Sequence, residues 1–155
     1  IVDYAHNKLS YETLFKSVKQ EYPDRKVISL FGCPGGKAFG RRTELPQIAS
    51  KYSDYIILSE DDCGEESADK ICNELAQNID GCKYSIILDR GEAIKKAFSL
   101  ASTKSLVLLL GKGRETHMKR GLKCEECISD VAYAQAFLDV YNQNHSILTS
   151  PAIAI

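Results

Sequence analysis

Apolar side chains fall along this chain in two alternating rhythms: short unbroken runs of strand length, and longer stretches in which they recur every three or four residues. The plainest run, Ser105-Leu106-Val107-Leu108-Leu109-Leu110, ends abruptly in Gly111-Lys112-Gly113-Arg114-Glu115-Thr116. Such a run predicts a strand covered on both faces of a parallel sheet. Similar runs predict strands at Ile1–Tyr4, Val27–Phe31, Tyr55–Ser59 and Tyr84–Leu88. Between them, Leu14, Phe15 and Val18 mark a helix from about Tyr11 to Glu21, capped by Ser10 and stopped by Pro23-Asp24. Leu45, Ile48, Ala49 and Tyr52 mark a second helix, Ile71, Leu75 and Ile79 a third from about Ser67 to Gln77, and Ala93, Ile94, Ala97, Phe98 and Ala101 a fourth behind Asp89. A last helix follows Ser129, with Val131, Ala134, Phe137, Leu138 and Tyr141 on its face; no element is predicted from Asn142 to Ile155.

Strands and helices in strict alternation predict an α/β domain: a mainly parallel, Rossmann-like sheet with helices on both faces. Ligands bind such sheets at the carboxyl ends of the strands, so the loops leaving the strands carry the chemistry. The loop after the second strand, Gly32 to Arg42, holds four glycines and three basic residues, a backbone-rich positive turn suited to an anion. It lacks the Gly-Lys-[Ser/Thr] of a Walker A loop. The loop after the third strand, Glu60-Asp61-Asp62-Cys63-Gly64-Glu65-Glu66, packs five carboxylates into seven residues, which repel one another unless a cation sits among them. The macrodipole of the next helix explains Glu65 and Glu66, but accounts less well for Glu60 and Asp61 at the strand end.

Composition narrows the choices. A chain of 155 residues forms one domain, expected to cover 1–145, with 146–155 as a flexible tail. Its opening in mid-strand at Ile1 leads us to expect a fragment of a longer protein. A formal charge of −1 offers no general attraction for nucleic acid or an anionic membrane. No apolar run approaches the ~18 residues of a membrane span, and with no leader of signal-peptide type the expected location is the cytoplasm. The six cysteines have no scaffold spacing and are expected to be reduced thiols; Cys124-Glu125-Glu126-Cys127 is half of a zinc site with no second half, so no metal ligands are assigned.

Five loop motifs occur in a telling order: Asp3-Tyr4-Ala5-His6-Asn7, the basic loop ending Gly40-Arg41-Arg42, the acidic loop, Asp89-Arg90-Gly91-Glu92-Ala93-Ile94, and Gly111-Lys112-Gly113-Arg114-Glu115. Over residues 1 to 142 the chain resembles the C-terminal domain of Mur ligases, most closely the MurE type that makes UDP-N-acetylmuramoyl-tripeptide for peptidoglycan, the wall polymer behind cell shape and division. The resemblance implies a three-domain enzyme that uses ATP and Mg²⁺ to phosphorylate a UDP-muramoyl-dipeptide, whose acyl group an incoming diamino acid then attacks. It also implies that the phosphate loop lies in a central domain outside this chain, that no catalytic residue lies within it, and that this chain alone is inactive. A related ligase of the folylpolyglutamate or cyanophycin synthetase type, or a non-catalytic nucleotide- or amino-acid-binding module, is the alternative.

Carried over position by position, the resemblance gives Tyr4, His6 and Asn7 nucleotide contacts at the join to the central domain. Lys37 matches an arginine that grips the α-carboxylate of the amino acid, with Arg41 and Arg42 as nearby substitutes. Glu60-Asp61-Asp62-Cys63 stands where the family commonly has Asp-Asn-Pro-Arg, whose arginine pairs with the distal carboxylate of diaminopimelate. Cys63 offers no cation, and Glu60 and Asp61 favour a plain ammonium, so L-lysine is the expected substrate. Glu115 matches the glutamate that receives the distal amine and Gly111 a neighbouring backbone contact, while Arg114 replaces the usual histidine.

Overall fold

The computed structural model describes residues 1–145; the expectation for 146–155 lies outside the described residues. Five parallel strands run in the order β1-β5-β2-β3-β4, with β1 at Val2–Asp3, β2 at Lys26–Phe31, β3 at Tyr55–Leu58, β4 at Lys83–Ile86 and β5 at Ser105–Leu110. The helices are α1 (Lys8–Glu21), α2 (Arg41–Tyr52), α3 (Ala68–Ala76), α4 (Arg90–Leu100) and α5 (Asp130–His145). Alternate side chains along β2 divide the core. Val27 and Phe31 join Tyr11 and Phe15 of α1, Leu45 and Ile48 of α2, and Ile71 and Leu75 of α3 on one face. Ile28 and Leu30 join Ala93, Ile94 and Ala97 of α4 and Ala134 of α5 on the other. The predicted α/β sheet with helices on both faces is therefore what the chain forms.

Three local details differ from the sequence reading. The first helix starts at Lys8, because Asn7 is its cap: the Asn7 carboxamide oxygen accepts from the Ser10 amide at 3.0 Å while the Ser10 hydroxyl accepts from the Asn7 amide at 3.1 Å. Ser10, expected to be the cap, is the reciprocal partner. The last helix runs to His145 rather than ending near Tyr141. Between β5 and α5 lies an antiparallel hairpin, β6 (His117–Arg120) and β7 (Lys123–Glu126), where no strand was predicted. Within α2, Pro46 lacks the amide that would bond Arg42 O, and the Asn78 carboxamide donates to that carbonyl at 3.3 Å instead.

β5 sits between β1 and β2, so the chain leaves β2 to one side and returns on the other. The loops after β1, β2, β3 and β5 meet over the resulting crevice. Among the described residues no helix is long and apolar enough to cross a membrane.

Candidate functional site

Every residue singled out from the sequence lies at the carboxyl edge of the sheet, and four strand-end loops converge there. Tyr4, His6, Lys37, Arg41, Asp61 and Gly111 line a single cavity of about 190 Å³. Asp61 is its floor. That residue is nine-tenths buried, forms no side-chain hydrogen bond or ion pair among the described residues, and is held above the usual carboxylate range by desolvation, against the pull of Arg90 and Lys112. Two glycines make room for it: a Cβ on Gly111, whose φ is +100°, would stand 2.8 Å from Asp61 Oδ2, and one on Gly32 would stand 2.8 Å from Asp61 Cβ. Lys37 and Arg41 carry no salt bridge among the described residues, so the cavity presents a buried negative floor beneath free positive groups. Ala38, next to Lys37, has φ +54°, a conformation costing about 1–2 kcal/mol for a non-glycine residue, which puts strain into the loop that aims Lys37.

The rest of the acidic loop is neutralised by the chain itself. Glu60 receives two hydrogen bonds from the Arg120 guanidinium, one of 2.9 Å to Oε2 and one to Oε1. Asp62 accepts from the Lys112 ammonium at 3.0 Å and the Lys119 amide at 2.9 Å. Glu66 takes both arms of Arg42, at 2.9 and 3.0 Å, and the Gly36 amide. The sequence suggested a cationic ligand among five carboxylates; three basic side chains from elsewhere in the chain hold three of them, Glu65 is exposed, and Asp61 alone faces the cavity without a cation bonded to it.

That distribution changes the expectation for Arg42. It is buried, and Glu66 and Glu74 occupy its fork, the latter at 2.6 Å, so it braces the basic loop from beneath while Lys37 and Arg41 face the cavity. Asn7 is engaged as the α1 cap. The His6 ring is engaged locally, its Nδ1 donating to Tyr4 O at 2.8 Å, and the two rings pack at 4.9 Å. Tyr4 is exposed on one side, and the Glu115 carboxylate beside it holds its hydroxyl proton more tightly than usual.

Glu115 also pairs with Lys112 at 2.7 Å. Lys112 is 3% exposed and donates as well to His117 O at 2.7 Å; burial works against its charge, but Glu115 and Asp62 keep its pKa above the ordinary value. Glu60 and Glu115, which the sequence reading required on one rim, line the same small cavity beneath the hairpin. A groove of about 550 Å³ beside Tyr4, along Gly113, Arg114 and Val131, adjoins both.

Two residues that frame the site were missed as such. Arg90 is buried at the start of α4, makes two 2.7 Å bonds to Asp130, and donates to Leu110 O at 2.9 Å and Glu60 O at 3.3 Å, fastening the ends of β3 and β5 to α5. Arg120, on the hairpin, holds Glu60. A cation in the first turn of a helix opposes the macrodipole, and at Arg90 that mismatch was the available signal. All six cysteines are free, with burial pushing Cys33 and Cys72 up to about 12, and the described residues contain no group of three or more His, Cys, Asp or Glu that could hold a metal.

Comparison with known proteins shows the family. The chain is 38% identical over 143 residues to the UDP-N-acetylmuramoyl-L-alanyl-D-glutamate--L-lysine ligase of Enterococcus faecalis, covering 91% of this chain and 28% of that protein. It is 36% identical over 119 residues to the corresponding 2,6-diaminopimelate ligase of Clostridioides difficile, covering 76% of this chain and 24% of that one. A solved UDP-N-acetylmuramoyl-L-alanyl-D-glutamate--2,6-diaminopimelate ligase superposes with a TM-score of 0.81 at 28% identity, over 91% of this chain and 29% of that chain. The chain thus spans between about a quarter and three-tenths of these proteins. Residues 1–113 match the family described as Mur ligase, glutamate ligase domain, and the chain belongs to that family.

Proposed function

We propose that this chain is the amino-acid-receiving domain, residues 1–145, of a longer cytoplasmic ATP-dependent ligase that adds a diamino acid, L-lysine, to UDP-N-acetylmuramoyl-dipeptide during peptidoglycan synthesis. The observation that carries this reading is Asp61: a buried carboxylate with no bonded cation, facing Lys37 and Arg41 across one cavity. Opposite charges lining one cavity suit the zwitterionic head of an amino acid, with its carboxylate on Lys37 and Arg41 and its amine on Asp61. The amine must be neutral to attack an acyl group, and a buried carboxylate of raised pKa is suited to holding its proton. Farther along the rim, Glu115 receives the distal amine.

Tyr4 lines the 550 Å³ groove and packs against His6 at 4.9 Å, and its exposed ring fits the face of a nucleotide base. Mg²⁺ does not fit here, since Glu60, Asp62 and Glu66 are bonded to basic side chains and no other donor cluster exists among the described residues. On this reading the central domain of the longer protein holds the metal and the phosphates, and this chain alone is expected not to ligate. Amino-acid-dependent ADP release by the full-length protein, given the UDP-muramoyl-dipeptide and a panel of diamino acids, tests the reading: release dependent on L-lysine supports it, and release indifferent to every amino acid refutes it.

A further inference from the structure

We infer that the ion pair between Glu60 and Arg120 selects which diamino acid the site admits, by occupying the arginine that would otherwise hold a second carboxylate. The inference rests on the function proposed above. This chain is nearly as similar to a ligase named for 2,6-diaminopimelate as to one named for L-lysine, at 36% and 38% identity. The two amino acids differ at one carbon, which carries the distal amine in both and a carboxylate only in diaminopimelate. The discriminating group therefore lies beside the residue that takes that amine, Glu115.

Glu115 lines a cavity of about 60 Å³ beneath the hairpin, together with Glu60, Arg90, Lys112 and Arg120. At ~30 Å³ per water, that is room for a carboxylate-sized group. Of its three cations, Arg90 is matched by Asp130 and Lys112 by Asp62 and Glu115, both deep in the fold. Arg120 differs: its side chain is 42% exposed, it arrives on the hairpin, Glu125 of the same hairpin holds its Nη1 at 2.9 Å, and the Nε–Nη2 edge of its fork is closed by a glutamate whose own side chain is 9% exposed at the end of β3. While Glu60 holds that fork, an incoming carboxylate finds no free guanidinium and meets a negative charge. The bare aminoalkyl end of lysine meets neither obstacle. The pair is thus a repulsive element directed at the competitor.

Calorimetric Kd values and kcat/KM for L-lysine and 2,6-diaminopimelate, measured on the full-length protein, test this with Glu60→Gln, Arg120→Gln and the double variant. Glu60→Gln is expected to lower the preference for lysine by about tenfold or more, through tighter binding of diaminopimelate to the freed fork, and adding Arg120→Gln is expected to restore it. An unchanged preference in Glu60→Gln, or a loss that persists in the double variant, overturns the inference. Arg120→Gln removes the same tie between hairpin and sheet, so an equal loss of preference in both single variants also overturns it. A wild-type protein that prefers diaminopimelate, or binds neither amino acid, does so too. The predicted binding pattern without ADP release would support this selection while refuting ligation.

Discussion

Arg90 and Asp130 face each other through two parallel hydrogen bonds of 2.7 Å, with side chains 7% and 1% exposed. The pair joins the first turn of α4 to the first turn of α5, and the same guanidinium reaches the carbonyls of Leu110 and Glu60. The ends of the two strands whose loops carry Gly111 and Asp61 are thereby fixed to each other. Removing one partner leaves a buried charge uncompensated, so Asp130→Ala is expected to destabilise the fold by about 3–5 kcal/mol. Denaturant unfolding of the wild-type and variant chains measures this, and a loss of the size seen for an exposed pair would refute it.

Glu66 gives the site its acid sensitivity. The Arg42 fork and then the Gly36 amide hold its carboxyl down to about 2, from an ordinary value of 4.5. Because the folded pKa lies below the unfolded one, the stabilisation is complete above about 4.5 and is lost as pH falls towards 2. Glu66→Gln is expected to flatten the fall in stability across that window, and a circular-dichroism acid titration of both proteins reads it. The variant also loosens the Pro34–Gly36 turn that carries Lys37, so the amino-acid KM of the full-length enzyme is expected to rise.

Gly111 admits no side chain. With φ at +100° and Asp61 Oδ2 only 2.8 Å from where a Cβ would stand, Gly111→Ala is expected to strain the turn by about 1–3 kcal/mol and to displace Asp61. Steady-state kinetics on the full-length enzyme should show a raised amino-acid KM with little change for ATP.

Glu115→Gln is expected to raise the KM for lysine by about tenfold, some 1–2 kcal/mol. The side chain is 41% exposed and already paired with Lys112, so solvent and Lys112 both soften the loss. Equal changes in the constants for lysine and ATP would argue against the role.

Much of the fold could be read because β2, β3 and β5 are apolar on both faces, a pattern that only a covered parallel strand requires. The hairpin could not, since His117–Arg120 and Lys123–Glu126 bury only Met118 well and so show no alternation. The acidic loop misled for a related reason. Its carboxylates are answered by Lys112 and Arg120, about fifty and sixty residues along the chain, and by Arg42 some twenty-four residues back, and pairings at such separations leave no local trace in composition. That Tyr4, Lys37, Asp61 and Gly111 share one cavity was legible because each sits in a loop that leaves a strand at the carboxyl edge of the sheet. Arg42 misled because a basic residue near a glycine-rich loop looks the same in sequence whether it faces the ligand or the core.

On the proposed function Asp61, alone among the clustered carboxylates at the floor of the crevice, takes the amine of the incoming amino acid. Steady-state KM values for L-lysine and for ATP in full-length Asp61→Asn test it most directly. The expected result is an amino-acid KM at least about tenfold higher with the ATP value within about twofold of wild type. An unchanged lysine KM, or equal rises in both constants, would contradict it.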